Sequence, residues 1–458
     1  MPEIQSGEPW EVIQSIVADL DKNALREYLD NLSPPELARA LSRLEDETQA
    51  ELLTLLEPET AADLIERLHD AQAVDLIEEL SPHQAAAIVE EMESDHRADL
   101  LAEMRAGDAA AILEKMAPEE AQEARKLLVY PEDTAGGLMV TEYLSFSADL
   151  TVADVIEDLR RHAEQYSDYS VQYAYVMSNT GGLVGVLRLR DLILTPGDAR
   201  VSAVMIANPV YVYVDTPLDE IDNLFTRYPF VAVPVIEHTG QMVGVVRRAD
   251  IEEALSERAG QTLMRFGGII GGEELRSMPV RIRAFRRMAW LAVNLALSLL
   301  AASVIRSFHE TIEAVIAVVF FMPVIANMSG CSGNQAVAVS IRELAMGLIE
   351  PRDLFRVVWK ELQLGFITGL FLAALLGATA YLLQGSIVLG LIVGVALGLN
   401  ATFALLVGAV VPLVLRLFRL DPALAAPLIV TTVSDMCGFF VLLSLTTAFL
   451  AWQILPVS

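Results

Sequence analysis

The stretch Pro427–Trp452, PLIVTTVSDMCGFFVLLSLTTAFLAW, is long enough to cross a bilayer and carries one charged side chain, Asp435. Moving a carboxylate toward the bilayer centre costs at least ~2.5 kcal/mol on insertion scales, so such a residue faces a protein or water-filled interior and meets a proton or a cation. The competing explanation is a protonated or hydrogen-bonded Asp that ties two helices together. The rest of the chain favours the ion path.

The chain has 458 residues, 53% of them hydrophobic, which predicts several domains with one part in lipid. From Arg281 onward there are 8 acids against 11 bases, whereas the segment before it holds 53 acids against 21 bases. A strongly acidic soluble half is therefore joined to a nearly neutral membrane half. That balance argues against nucleic acid, which needs clustered Lys and Arg, and makes cations the natural partners. Acidity that merely keeps a domain dispersed is the plainer alternative. The two cysteines, Cys331 and Cys437, both fall in apolar segments, so no disulfide framework or CxxC metal site arises. His69, His83, His96, His162, His238 and His309 lack ligand spacing and read as surface or cap residues. The opening MPEIQSGEPW has no basic or apolar leader character, so the soluble half is expected in the cytosol.

Residues 32–128 carry an internal repeat of 12, doubled to 24: LSPPELARALSRL, LEPETAADLIERL, LSPHQAAAIVEEM and MRAGDAAAILEKM begin at Leu32, Leu56, Leu80 and Met104. Each unit predicts a short helix with a turn, its Ser-Pro or Glu-Pro pair supplying an N-cap and a first position where the missing N–H costs nothing. No unit can bury its apolar face alone, so the units should stack as a superhelix. After Tyr130-Pro131 the period changes. Met139–Leu194 and Met205–Leu255 share a design of strand, Thr-initiated helix (Thr151, Thr216), strands and closing helix, with LVGVLRLRDLIL and MVGVVRRADIEE aligned. This tandem resembles a pair of CBS modules, a fold that often holds adenosine nucleotides. The resemblance implies that Asp191 or Asp250 contacts ribose, with Arg190 and Tyr173 near phosphate and base, so ATP is a possible ligand. The usual hydroxyl residue three positions before that Asp is Arg188 in one module and Arg247 in the other, a departure from the adenosine-binding pattern.

Ala249 to about Phe266 reads as one amphipathic helix, ended by Gly267-Gly268 and Gly271-Gly272. Five spans follow, Met288–Ile305, Ala314–Ile341 with interruptions, Leu362–Leu383, Ile387–Leu415 and Pro427–Trp452, each able to cross ~30 Å of hydrocarbon. Arg281, Arg283, Arg286, Arg287, Arg342, Arg352, Arg356, Lys360, Arg416 and Arg419 lie on one side, with Arg306 as the one base opposite. The positive-inside rule puts the N-terminus in the cytosol and the C-terminus outside. In the second span Pro323, Gly330 and Gly333 are expected to weaken the helix around Asn327, Asn334 and Gln335, freeing carbonyls for a hydrated cation. Packing of small residues in lipid is the alternative.

The whole constellation resembles the MgtE family of magnesium channels: helical N-domain (1–130), tandem CBS domain (131–248), connecting plug helix (249–280) and a transmembrane domain of five helices (281–458). Its motifs are SGNQ (332–335), Asp421-Pro422-Ala423, and Thr431-Thr432-x-x-Asp435. The resemblance implies an all-α membrane domain in a multi-pass protein of the inner or plasma membrane. It also implies a homodimer whose second and fifth spans line one pore, with Asp435, Asn334, Asn327, Gly330 and Thr431 along it. Mg²⁺ is expected both as permeant ion and as regulator, closing the pore when bound between acidic faces. Asp95, Asp99 and Asp250 match family positions for that feedback, followed by Asp219 and Asp421. Pro229 in YPF and Gln261-Thr262 stand where acids are common, so fewer regulatory sites are expected. A gradient-coupled exchanger and a nucleotide-sensing CBS membrane regulator are the other readings. No Gly-rich phosphate loop, nucleophile elbow or metal-hydrolase spacing suggests an enzyme.

Overall fold

The computed structural model describes residues 8–163, 166, 169, 172–178, 181–269 and 280–452. Gly271 and Gly272 lie outside them. The chain divides into two units, Met1–Arg258 and Ala259–Ser458.

In the first unit the 12-residue periodicity becomes Pro9–Ala18 (α1), Lys22–Asp30 (α2), Pro34–Leu41 (α3), Asp46–Leu55 (α4), Pro58–Glu66 (α5), Asp70–Glu78 (α6), Pro82–Glu91 (α7), Ser94–Glu103 (α8), Ala106–Lys115 (α9) and Pro118–Leu127 (α10). Ser33-Pro34 and Ser81-Pro82 start their helices as capping boxes closed by Glu36 and Gln84. Alternate helices pack together, α5 on α7 on α9 and α6 on α8 on α10. Leu41, Leu53, Ile65, Ile77, Val89 and Leu101, the ninth residues after each start, are all buried in one core running from Ile13 to Ala124. Their counterpart Leu113 is only half-buried, where the stack ends.

The tandem modules share one design. In the first, Leu144–Ser147 (β1), Val152–Arg161 (α11), Tyr173–Met177 (β2), Leu183–Arg188 (β3) and Leu189–Leu194 (α12) lead through Val201–Val204 (α13) to Ile206–Ala207 (β4). β1 pairs parallel to β2, which pairs antiparallel to β3. The second repeats this with Val212–Tyr213 (β5), Leu218–Arg227 (α14), Ala232–Ile236 (β6), Met242–Arg247 (β7) and Arg248–Phe266 (α15). Thr151 caps its helix as expected. Thr216 does not; its hydroxyl accepts from the Tyr213 N–H at 3.0 Å, and Pro217 takes the cap position. Ala98 of α8 joins Leu127, Met139 and Val246 in a shared core, so repeat and second module pack directly.

The second unit holds Val280–Ser307 (α16), His309–Ala314 (α17), Met322–Ala345 (α18), Leu354–Gln384 (α19), Ile387–Leu417 (α20) and Pro422–Ala451 (α21). Five stretches are long and apolar enough to cross a membrane. The expected break in the second span is corrected. α18 runs unbroken through Gly330 and Gly333, and the irregular backbone precedes it as a 3-10 turn over Ile316–Phe321. Pro323 sits in the first turn, where it removes no hydrogen bond. The glycines serve close packing instead: a Cβ at Gly333 would lie 2.5 Å from Val430 Cγ1, and one at Gly408 would collide with the Gly333 carbonyl oxygen. Gly369 and Gly398 bring α19 and α20 together in the same way.

Candidate ion pathway and cation sites

α21 buries Val430, Ser434, Gly438 and Leu442, one residue per turn. Thr431 and Asp435 lie one turn apart beside that stripe and are half-buried. Across from them, a Cβ on Gly330 would meet Thr431 Cγ2 at 3.9 Å, so α18 and α21 form a seam there. Asn327 and Asn334 stand seven residues, about two turns, apart on α18 and share a face with the seam's edge. Asn327 is exposed, whereas the Asn334 side-chain oxygen is buried without a hydrogen-bond partner among the described residues. Asp435 has no ion-pair or hydrogen-bond partner among the described residues. Among the described helices, therefore, none is tied to it by a hydrogen bond or an ion pair.

One residue that the sequence reading missed belongs to this site. Asn400 of α20 is fully buried and donates to Ser329 Oγ on α18 at 2.7 Å, while its own side-chain oxygen has no partner. A Cβ on Gly438, one turn beyond Asp435, would collide with the Asn400 amide nitrogen, so this amide joins three helices. A lone amide in an otherwise apolar span was the signal that could have found it.

In the first unit, α8 brings Glu93, Asp95 and His96 together at its start, their ligand atoms all within 4.8 Å of one another. His96 is thus neither surface nor cap, which corrects the reading of the scattered histidines. Burial, then Asp250 and Glu93, pushes the Asp95 carboxyl up to about 6, against the charges of His96 and Arg247. Arg247, at the end of β7, reaches this cluster. Its guanidinium donates to Glu93 at 2.6 and 2.8 Å, to Asp250 at 2.8 and 3.0 Å, and lies 3.4 Å from Asp95. The Ser94 hydroxyl completes the contact, donating to Glu142 at 2.7 Å and accepting from the Thr141 N–H at 2.8 Å.

Asp99, one turn further along α8, has no such arginine among the described residues. Burial, then Asp70 and Asp95, pushes it up to about 8. Asp219 pairs with Arg258 at 2.8 Å, and Asp421 pairs with Arg265 at 2.9 Å while capping α21 through the Ala423 N–H. The expected nucleotide residues sit on neighbouring elements, Tyr173 on β2 opposite Arg188 at the end of β3, and Arg190 and Asp191 on α12. Tyr173 lines the cleft between the modules with Tyr143, Tyr175 and Arg247, where Tyr143 and Tyr175 pack edge-on at 5.9 Å. Asp191 is instead bonded to Arg188 at 2.7 Å, with Arg190 at 3.7 Å.

A helical repeat, a tandem CBS pair and five helices long and apolar enough to cross a membrane, with a carboxylate at one seam that has no partner among the described residues, define a multi-pass membrane protein of modular build. Residues 322–445 match the MgtE divalent cation transporter family, 8–69 and 32–133 the MgtE intracellular N domain, and 135–196 and 201–257 the CBS domain. The chain is 35% identical over 328 residues to the magnesium transporter MgtE of Thermus thermophilus, covering 71% of this chain and 72% of that one. It is 29% identical over 336 residues to the MgtE of Bacillus subtilis, covering 73% and 74%. The crystal structure of the soluble part of a magnesium transporter superposes with a TM-score of 0.50 at 28% identity, over 55% of this chain and 98% of that one. The chain belongs to the MgtE family of divalent cation transporters, which is not a family of enzymes, and its N-terminal domain is the intracellular one.

Proposed function

We propose that the protein is a Mg²⁺ channel that works as a homodimer and is closed by cytosolic Mg²⁺. The observation that carries this reading is Asp435, a carboxylate in a membrane helix with no partner among the described residues, beside Thr431, Gly330 and the buried oxygen of Asn334. Mg²⁺ sheds water reluctantly, so two Asp435 carboxylates across a two-fold axis hold it through its hydration shell. Related transporters named for magnesium support the choice of ion. The charge asymmetry of the loops supports an N-terminus inside and a C-terminus outside. For the regulatory ion, Asp99 fits best, because a carboxylate buried near Asp70 and Asp95 without an arginine gains most from a divalent partner.

The test is Mg²⁺ uptake into liposomes with no other ion gradient, wild type beside Asp435→Ala. Uptake by the wild type that the variant loses supports the channel. Unchanged uptake in the variant removes Asp435 from the pathway, and uptake that requires a Na⁺ or H⁺ gradient replaces the channel with a coupled exchanger.

A further inference from the structure

Asp95, Asp250, Asp219 and Asp421 were each expected to hold a regulatory cation, and each already faces an arginine of its own chain. Arg258 and Arg265 stand seven residues apart on α15, about two turns, and so share one face. Arg247 immediately precedes that helix. The Arg258 and Arg265 pairs are largely solvated. Arg247 is not: its side chain is 18% exposed, against 32% for Glu93, 9% for Asp95 and 14% for Asp250.

A guanidinium offers five donors in a rigid fork that matches carboxylates two atoms at a time. Arg247 grips Glu93 with both Nη1 and Nη2, one to each oxygen, and shares its Nε–H between the two oxygens of Asp250. A Mg²⁺ ion needs oxygen ligands at ~2.1 Å in an octahedron, and it cannot share the space or tolerate the charge of a guanidinium at this position. The acids present thus do not fit a resident divalent ion while Arg247 stands between them.

We infer that Arg247 is a built-in counter-ion that replaces the divalent cation between the helical repeat and the second CBS module, and holds these two parts together without Mg²⁺. The inference rests on reading these acids as the cation-sensing face. It changes what regulation means for this chain. Docking of α8 on the second module does not respond to cytosolic Mg²⁺ at Asp95 and Asp250, so sensing is left to acids without an arginine among the described residues, such as Asp99 one turn along α8. The sequence departure at position 247 thereby acquires a cause unrelated to nucleotides.

The Thr141 amide reports the contact, since it donates across it to Ser94 Oγ. Hydrogen exchange of the full-length protein in nanodiscs, read on the peptide containing Thr141, is compared in EDTA and in millimolar Mg²⁺. The wild type is expected to exchange equally slowly in both. Arg247→Ser is expected to exchange at least about tenfold faster in EDTA, because Glu93, Asp95 and Asp250 then lose their shared guanidinium and only His96 is left beside them, and to be slowed again by Mg²⁺. Arg247→Lys keeps the charge without the fork, and is expected to fall between the two. Wild-type exchange that accelerates in EDTA overturns the inference without need of any variant, as does an Arg247→Ser protein that stays protected in EDTA. The readout is docking and not flux, so loss of the channel reading in the liposome assay leaves this result standing on its own.

Discussion

Replacing Gly333 by Ala tests whether the seam between α18 and α21 sets the position of Asp435. The added Cβ would lie 2.5 Å from Val430 Cγ1, 3.2 Å from the Ala404 carbonyl oxygen and 3.5 Å from Ala404 Cβ. Carbon atoms prefer about 3.5–4.0 Å, so the first contact is too close by about 1 Å. Val430 is β-branched and cannot swing aside within its helical rotamer, and its neighbours leave it fully buried. Relief must come from a shift of α21, which carries Thr431 and Asp435 in the next turn and a half. Overpacking of this kind costs ~1–3 kcal/mol, and an ångström of movement at the carboxylate proposed to meet the ion is enough to impair it. The expected outcome is a lower melting temperature in detergent and a several-fold loss of Mg²⁺ uptake in liposomes. The double variant Gly333→Ala with Val430→Ala removes the clashing methyl and is expected to recover both, giving a favourable coupling between the two sites. A single variant with wild-type stability and flux, or a double variant no better than the single, refutes the reasoning.

Two further outcomes follow from the soluble unit. Arg97 is buried and donates to the carbonyls of Val89, Glu90 and Met92 and to Glu120, closing the C-terminal end of α7; Arg97→Ala is expected to destabilise the helical repeat by ~3–5 kcal/mol in urea unfolding, and a loss under ~1 kcal/mol would contradict the network. Glu66 is pushed up to about 7 and Asp99 up to about 8, both mainly by burial. Each folded-state value lies above the unfolded one, so the folded state binds more protons between about pH 4 and pH 8, and stability falls as pH rises through that window. His96, raised by Asp95 and Glu66 against its burial, loses its contribution in the same direction. Melting in EDTA is therefore expected to drop between about pH 6 and pH 8.5, with Mg²⁺ restoring more at the higher pH; a flat or rising profile in EDTA would rule the assignment out.

What the sequence made legible was local. The repeat declares itself through leucines and Ser-Pro caps twelve residues apart, and the tandem modules through two aligned strand-to-helix signatures. Asp435 stands out because a charge in an apolar run has no ordinary explanation. Asn400 obeys the same logic at lower contrast, an amide in place of a carboxylate, and was passed over. Gly330 and Gly333 were misread because glycine marks both a broken helix and a close helix contact in lipid. Only the collisions at Val430 and Gly408 separate those meanings. The Arg247–Glu93 pair joins residues 154 positions apart, so no spacing rule could reveal it.

That pair also supplies a criterion for the acids as a group. An acidic chain offers many carboxylates at helical spacing, and the match to family positions gave Asp95 and Asp99 equal standing. A buried carboxylate next to a guanidinium is already neutralised, and removing its partner costs far more than the pair gains, so such acids are held for structure. One that is partly buried and lacks a fixed counter-charge must recruit a mobile one, a proton or a cation from solution. Asp250 and Asp95 fall in the first group, whereas Asp219 and Asp421 meet their arginines in solvent, where a pair contributes little. Asp435 in the membrane helix and Asp99 on α8 fall in the second. The same physical distinction thus separates the buried acids held by an arginine from the two proposed to exchange ions, Asp435 and Asp99.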